Sequence, residues 1–191
     1  MTGRTILALI QVFKNRAAMG RLFLVYLKFP LHNHNFVNGT ALFPGTFDPI
    51  TLGHYLLVER GLKQFAQIKI GIGENQGKST LFSRDERIQM LKQAFGPIDR
   101  VEILSYTGLT AVFCRKEGIN WILRGLRSAQ DFEYERNIAQ LNLELYGIDT
   151  LFLAGDPKAN HISSTLVRDI IRHGGDASTL LPEGLLLPAQ K

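Results

Sequence analysis

A glycine-rich stretch near the middle of the chain is the first place where residue types suggest phosphate chemistry. Gly73 to Thr80 reads GENQGKST and contains the Gly-Lys-Ser end of a P-loop. A P-loop also needs a glycine four free positions before that pair, and Ile72 stands there instead. We therefore interpret the stretch as a loop with one lysine, Lys78, that could contact a phosphate.

A second segment, PGTFDPITLGH, runs from Pro44 to His54 and joins an apolar run to a predicted helix. Gly45 permits a tight turn, Thr46 offers a hydroxyl, and Gly53-His54 opens the helix. Free backbone N–H groups and the positive end of the helix dipole favour an anion here. His54 could donate a hydrogen bond to a phosphate oxygen or could merely cap the helix, and the segment alone leaves both interpretations open.

A third segment, RGLRSAQDFEYE, places two arginines directly after a buried apolar run. Arginines that directly follow a buried strand are not typical of a solvent-exposed face. The guanidinium groups of Arg124 and Arg127 could instead bind phosphate oxygens, whose geometry they match. The acids Asp131 and Glu133 begin the next helix, where we favour the simpler role of complementing the helix dipole.

A fourth segment, HISSTLVRD, gathers three hydroxyl side chains at a predicted helix start: Ser163, Ser164 and Thr165. One hydroxyl is enough to cap a helix, so three in a row modestly favour a bound anion.

The elements that must position these segments alternate short apolar runs with helical periodicity, which predicts βα units and a parallel sheet. Five strands are expected, at residues 41–43, 68–72, 101–104, 121–123 and 150–153. Between them, apolar residues share a helical face in three groups: Tyr55, Val58, Leu62 and Phe65; Ile88, Leu91 and Phe95; Ile138, Leu141 and Leu145. Ser83 to Glu86 reads SRDE, a capping box, and a last helix over Ser164 to His173 should stop at Gly174-Gly175.

The predicted fold class is therefore α/β, a doubly wound five-stranded parallel sheet. Ligands of such sheets bind at the carboxyl ends of the strands. The four segments follow the first, second, fourth and fifth strands, so their anion-binding groups should converge on one edge. A nucleoside triphosphate is the ligand that best accounts for them.

Composition limits the other functions. The chain of 191 residues has a net charge of +5, yet residues 1–38 hold five basic and no acidic residues. Seventeen basic and 17 acidic residues remain from Gly39 onward. A neutral body argues against a nucleic-acid partner, and the apolar runs of the leader are too short to cross a membrane. The single cysteine, Cys114, excludes internal disulfides, is compatible with a reducing compartment and is best interpreted as apolar filler on a helix.

The domain boundary is expected at the end of that leader, with one domain over residues 39–191. Residues 1–38 could be an organelle presequence or an interfacial helix. We favour a third interpretation, an upstream stretch joined to the gene by a wrongly chosen start. If the leader is instead part of the protein, we expect it to be poorly ordered.

Taken together, the segments resemble the nucleotidyltransferases with GTFD and xGH motifs, and within them the phosphopantetheine adenylyltransferases. PGTFDPITLGH and the ISST string are shared across the superfamily, whereas RGLRSAQDFEYE is more specific to the phosphopantetheine branch. LFSRDERIQML and RHGGDAS extend the similarity, which covers about residues 40–182 and leaves the leader outside.

The resemblance implies transfer of the adenylyl group of ATP to 4'-phosphopantetheine, giving dephospho-coenzyme A and pyrophosphate. His54 would donate to the α-phosphate as the transition-state stabiliser, with Lys78 and Arg124 also catalytic. Contacts to 4'-phosphopantetheine are implied for Thr46, Lys78, Thr110, Arg124 and Asn142. Contacts to ATP are implied for Thr46, Phe47, His54, Gly125, Leu126, Arg127, Glu135, Ala159, Asn160, His161, Ile162, Ser163, Ser164 and Thr165.

The same resemblance implies Mg²⁺ held mainly by ATP phosphates with no protein side-chain ligand, a cytoplasmic enzyme and a homohexamer. One departure concerns the aromatic residue that family members carry before the serines, because this sequence has Ala159 and His161 in that neighbourhood. The rival hypotheses are an adenylyltransferase acting on nicotinate mononucleotide, a cytidylyltransferase and a catalytically silent nucleotide sensor. RGLR followed by DFEYE argues against the first two, and His54, Lys78 and Arg124 together argue against the third.

Overall fold

The structure is a computed structural model that describes residues 37–74 and 79–189. The predictions for residues 1–36 and for Lys78 therefore concern parts of the chain outside the described residues, whereas Val37 and Asn38, predicted to end the leader, lie in the first strand. Within the described residues no helix is long and apolar enough to cross a membrane.

Five parallel strands form one sheet in the order β3-β2-β1-β4-β5. Every neighbouring pair in that order is parallel. The strands are β1 (Val37–Gly45), β2 (Phe65–Glu74), β3 (Val101–Thr107), β4 (Trp121–Leu126) and β5 (Asp149–Ala154). Each predicted strand lies inside an observed one, so the prediction of a doubly wound five-stranded parallel sheet is confirmed.

The helices alternate with the strands along the chain, as expected for right-handed βαβ crossovers. They are α1 (Leu52–Gly61), α2 (Arg84–Phe95), α3 (Thr110–Lys116), α4 (Ala129–Tyr146) and α5 (Ser164–Arg172), and a 3-10 turn follows at Ser178–Leu180. The SRDE capping box is confirmed, since Ser83 N donates to Glu86 Oε2 at 2.7 Å and Glu86 N donates to Ser83 Oγ at 3.3 Å. Past the end of α5, Gly174 adopts φ +71°, a left-handed conformation that glycine tolerates.

The helical face predicted for the first helix was wrong at its end. Helix α1 stops at Gly61, Leu62 is its C-cap, and Phe65 is the first residue of β2. Phe65 is fully buried and pairs with Val37 of β1. Its apolar side chain fits a buried strand as well as a helix, and pairing in the sheet decides between them.

Apolar side chains cover both faces of the sheet. One core cluster joins β1 and β2 to α1 and α2 through residues such as Phe43, Val58, Ile70 and Leu91. A second cluster joins Leu42 and Ile122 to α3, where Cys114 is fully buried. The chain changes face between β3 and β4, so β1 and β4, which lie side by side, form the switch point at which α/β sheets bind ligands.

Candidate active site

Two cavities open at the carboxyl edge of the sheet, on either side of the switch point. The α4 cavity, of about 630 Å³, lies among β1, β3, α3 and α4. The α1 cavity, of about 540 Å³, lies among the ends of β1 and β4 and the starts of α1 and α5. Both are lined by the same five residues where they adjoin: Pro44, Gly45, Thr46, Arg124 and Glu135. Two ligands, one in each cavity, would therefore meet at this shared wall.

His54 lies in the first turn of α1 and lines the α1 cavity. Its Nδ1 accepts a hydrogen bond from the backbone N of Thr51 at 3.0 Å. An imidazole nitrogen that accepts a backbone N–H carries no proton, so in the neutral ring the proton is on Nε2. The ring of Phe47 packs against the imidazole at 5.2 Å between centroids, with Phe43 at 6.1 Å. The geometry thus fixes His54 as a donor through Nε2.

The electrostatic surroundings keep His54 neutral. Loss of hydration and, to a smaller extent, the positive charges of Arg127 and Arg124 together lower its pKa from 6.5 to about 4. At neutral pH the side chain is therefore a hydrogen-bond donor without a net charge.

Arg124 is held at the shared wall from two sides. Its Nε donates to Glu135 Oε2 at 2.9 Å, and its Nη2 donates to Glu135 Oε1. Its Nη1 donates to the carbonyl oxygen of Pro44, at the end of β1, at 2.9 Å. The guanidinium carries five N–H groups, so these three bonds leave two for a ligand.

The other two arginines of the α1 cavity are also paired with carboxylates. Arg127 contacts Asp131 through its backbone N and its Nε, both at 3.3 Å. Arg168 Nη1 lies 3.6 Å from Asp48 Oδ2. Each arginine keeps N–H groups beyond these contacts, so the cavity can offer several donors to an anion.

The three hydroxyls at the start of α5 line the α1 cavity, and each has a structural partner. Ser163 Oγ accepts from Leu166 N at 3.2 Å, Ser164 Oγ donates to Pro49 O at 2.8 Å, and Thr165 Oγ1 accepts from Arg168 at 3.1 Å. Capping therefore explains Ser163. The hydrogen bond of Ser164 connects α5 to the loop that precedes α1, the helix that contains His54.

The α4 cavity brings together the residues expected to contact the second ligand. Thr110 and Asn142 line it with Thr46 and Arg124. Thr110 Oγ1 lies 2.8 Å from the hydroxyl of Tyr106, whose ring stacks on Phe113 at 4.7 Å. The rest of the lining combines apolar side chains such as Leu109 and Ile122 with further polar groups, including the carboxylates of Glu74 and Glu135.

Sequence reasoning did not assign the residues that hold the loops in place. Asp48, only 2 % exposed, accepts from Leu81 N and Phe82 N, both at 2.9 Å. Arg87 donates to the carbonyl oxygens of Thr46 at 2.7 Å and of Phe82 at 3.2 Å. The available signal was a charged residue inside an otherwise apolar pattern, but the two partners of Asp48 lie 33 and 34 positions away and Thr46 lies 41 positions from Arg87.

The structure brings most of the predicted residues to this edge. The α1 cavity is lined by Thr46, Phe47, His54, Arg124, Gly125, Arg127, Glu135, Ala159, Asn160, Ile162, Ser163, Ser164 and Thr165. Two residues expected to contact ATP are not among those that line it, Leu126 and His161, and His161 is exposed. Asn160 Nδ2 donates to Arg127 O at 3.2 Å, which joins the loops after β4 and β5.

The acidic side chains of the α1 cavity already accept hydrogen bonds or pair with arginine. These are Asp48, Asp131, Glu135 and Asp156, the last of which accepts from Lys158 N at 2.9 Å. Within the described part of the chain no group of three or more metal-binding side chains forms. Burial raises the pKa of Cys114 to about 11, so this thiol does not supply a thiolate at neutral pH.

Comparison with solved structures shows the same fold in a bifunctional NMN adenylyltransferase/ADP ribose pyrophosphatase from Francisella tularensis. The TM-score is 0.56 at 16% sequence identity, over 76% of this chain and 45% of that one. This chain therefore spans less than half the length of that protein, and the likeness concerns the fold alone.

Comparison with curated relatives is more specific. Phosphopantetheine adenylyltransferases match at 43% identity in Christiangramia forsetii, 46% in Flavobacterium psychrophilum and 44% in Thermobifida fusca. The matches cover 75%, 76% and 73% of this chain and 95%, 96% and 85% of the relatives. The cytidylyltransferase-like family model matches residues 42–170. The chain belongs to the cytidylyltransferase-like family and, within it, to the phosphopantetheine adenylyltransferases.

Proposed function

We propose that this protein transfers the adenylyl group of ATP to 4'-phosphopantetheine, a step of coenzyme A biosynthesis. The observation that carries the proposal is the meeting of two cavities at one shared wall. ATP would occupy the α1 cavity, and the phosphate of 4'-phosphopantetheine would reach the wall from the α4 cavity. Family membership supplies the identity of the two substrates.

The reaction would be a direct displacement. An oxygen of the acceptor phosphate forms a bond to the α-phosphorus of ATP, the bond from that phosphorus to the bridging oxygen breaks, and pyrophosphate leaves. The attacking group is already an anion, so no protein nucleophile and no general base are required. Catalysis then consists of positioning and charge stabilisation.

Each part of the site has a role in this proposal. Nε2–H of His54 donates to an α-phosphate oxygen, while Arg124 and Thr46 hold the acceptor phosphate. Thr110 and Asn142 contact the pantetheine portion along the α4 cavity. Lys78, outside the described residues, is proposed as a second cation on the acceptor phosphate.

The proposed contacts to ATP comprise side chains and loops at the ends of β1, β4 and β5. They are supported by the cavity lining for Thr46, Phe47, Gly125, Arg127, Glu135, Ala159, Asn160, Ile162, Ser163, Ser164 and Thr165. For Leu126 and His161, the proposal depends on the family resemblance alone. Arg168, which also lines this cavity, is added as a candidate contact to the leaving pyrophosphate.

A magnesium ion is proposed to enter with ATP. The residues present fit a metal held by phosphate oxygens, because the acids of the α1 cavity are already engaged and hydroxyl and guanidinium donors face the space. When bound, the ion would neutralise negative charge on the phosphates. We also propose a cytoplasmic location, which is supported by the reaction and the bacterial relatives.

A homohexamer is proposed from the resemblance and from one surface. Tyr134, Ile138, Leu141 and Leu145 recur at helical spacing on α4 and are 69%, 37%, 55% and 63% exposed. Helix α4 has no buried residue among the described ones. A contiguous exposed apolar stripe of this kind is typical of an oligomer interface.

The assignment is tested by offering the purified protein ATP and Mg²⁺ with one of three acceptors and measuring pyrophosphate. The acceptors are 4'-phosphopantetheine, nicotinate mononucleotide and glycerol 3-phosphate. The proposal predicts release with the first. Release with nicotinate mononucleotide alone would transfer the protein to another branch of the superfamily, and ATP binding without release from any acceptor would favour a silent sensor.

A further inference from the structure

We propose that Glu135 is a positioning residue for Arg124, fixing that guanidinium so that it can hold the acceptor phosphate. The inference rests on the proposed function. It assigns to Glu135 a role in acceptor binding that is additional to the nucleotide contact implied by the family resemblance.

The geometry of the pair is bidentate. Both carboxylate oxygens of Glu135 accept from Arg124, one from Nε and one from Nη2. Two parallel bonds of this kind fix both the distance and the plane of a guanidinium. The third bond, from Nη1 to the carbonyl oxygen of Pro44, attaches the same group to the end of β1. Arg124 is thus held between β1 and α4, with its orientation set by Glu135.

The two side chains differ in how far they reach open space. The side chain of Glu135 is 14% exposed and that of Arg124 is 31% exposed. Both oxygens of Glu135 accept from Arg124, so the carboxylate is oriented toward the guanidinium. The two remaining N–H groups of Arg124 lie at the wall that both cavities share, where the acceptor phosphate must arrive.

A neighbouring pair of arginine and carboxylate, Arg127 and Asp131, is held less firmly than Arg124 and Glu135. Arg127 and Asp131 contact each other at 3.3 Å through one carboxylate oxygen, with side chains 49% and 34% exposed. That looser, more exposed pair can open to a ligand at little cost. The pair of Arg124 and Glu135 is more buried and shares two bonds, which suits a fixed element of the site.

The test is a comparison of Glu135→Gln with the unaltered protein in steady-state kinetics and in calorimetric binding of 4'-phosphopantetheine. Glutamine keeps one acceptor but turns an N–H toward Arg124, so the bidentate pair is lost. We expect Kd and KM for 4'-phosphopantetheine to rise about tenfold, and KM for ATP to change less than about twofold. Glu133→Gln removes the same charge from an exposed position on α4. It should leave Kd and KM for 4'-phosphopantetheine and KM for ATP within about twofold of those of the unaltered protein.

A double variant separates positioning from a structural role. If Glu135 acts through Arg124, adding Glu135→Gln to Arg124→Gln should change kcat/KM by less than about twofold. Should Glu135→Gln fail to fold, Glu135→Asp decides, because its shorter chain cannot form the bidentate pair and should also weaken acceptor binding. Thermal unfolding midpoints of all variants accompany these measurements.

Three results would overturn the inference: unchanged acceptor binding in Glu135→Gln, a loss confined to KM for ATP, or full additivity in the double variant. Failure of the proposed function is distinguishable, because the unaltered protein would then release no pyrophosphate with 4'-phosphopantetheine. Activity in that protein is therefore measured first.

Discussion

At the scale of single residues, the state of His54 determines what chemistry the site can perform. Its Nδ1 accepts a hydrogen bond from a backbone N–H, and burial together with two nearby arginines opposes protonation of the ring. A side chain fixed in this way can donate from Nε2 but is a poor proton acceptor. It suits a reaction in which charge shifts between phosphates and no proton has to be removed.

The first prediction concerns removal of that donor. His54→Ala should lower kcat by roughly 100-fold or more, because a hydrogen bond formed in the transition state is lost. ATP binding, measured by calorimetry, should change little. An unchanged kcat would exclude His54 from catalysis, and an equal loss in ATP binding would indicate a binding role instead.

The second prediction concerns pH and activity. With a folded-state pKa of about 4, His54 is neutral over the range in which a free histidine titrates. We therefore expect the pH–rate profile of the unaltered protein to show no change near pH 6.5 that depends on His54. Any change in rate near that pH should also be present in His54→Ala. A histidine-dependent loss of activity on acidification through that value would show that the charged form is accessible.

The same depressed pKa predicts a dependence of stability on pH. Between pH 6.5 and about 4 the unfolded chain binds a proton at His54 that the folded protein does not. The free energy of unfolding should thus fall as pH falls through this window, and His54→Ala should weaken the fall. Chemical denaturation at several pH values measures it, and identical slopes in both proteins would contradict the assigned pKa.

At the scale of elements, Asp48 connects loops that are far apart in sequence. It accepts from Leu81 N and Phe82 N, just before α2, and pairs with Arg168 of α5. The loop after β1 is thereby attached to two neighbouring elements that line or flank the α1 cavity. Because Asp48 is buried, its loss would leave several polar groups without partners.

We accordingly expect Asp48→Ala to lower the free energy of unfolding by about 2–4 kcal/mol, since it leaves buried donors and Arg168 unpaired. Asp85→Asn is a matched control, because Asp85 is 82% exposed and pairs at the surface with Arg84. That change should lower the free energy of unfolding by less than about 1 kcal/mol. Equal losses in the two variants, measured by denaturant titration, would refute the role given to Asp48.

The elements themselves followed from local patterns. Short apolar runs and the SRDE box depend on residues near in sequence, which is why all five strands and the start of α2 could be predicted. Phe65 was misplaced because its apolar character fits a helix and a buried strand equally. The roles of Asp48 and Glu135 could not be predicted in the same way, since their partners belong to other elements and are brought close only by tertiary packing.

At the scale of the whole molecule, the apolar stripe on α4 is exposed among the described residues. Leu141→Glu should dissociate the proposed hexamer, because burial of a charge in an apolar interface is unfavourable. Light scattering should then report fewer than six chains of 21.4 kDa. Leu186→Glu, at a residue 74% exposed near the C-terminus, should leave the mass unchanged. A monomeric unaltered protein would contradict the hexamer.

The two adjoining cavities determine how two substrates can meet. One sheet edge holds two sites that share Thr46, Arg124 and Glu135, so two substrates can approach one phosphorus atom from different sides. This arrangement predicts a single displacement. A protein that instead formed an adenylylated side chain would need an activated nucleophile at the wall, and the carboxylate found there, that of Glu135, is already paired with Arg124.

The stereochemistry of transfer tests this account most directly. One diastereomer of the α-thio analogue of ATP is incubated with 4'-phosphopantetheine, and the configuration at the transferred phosphorus is determined in the product. A direct in-line attack from the α4 cavity predicts inversion. Retention, which requires two successive displacements through an adenylylated protein, would contradict it.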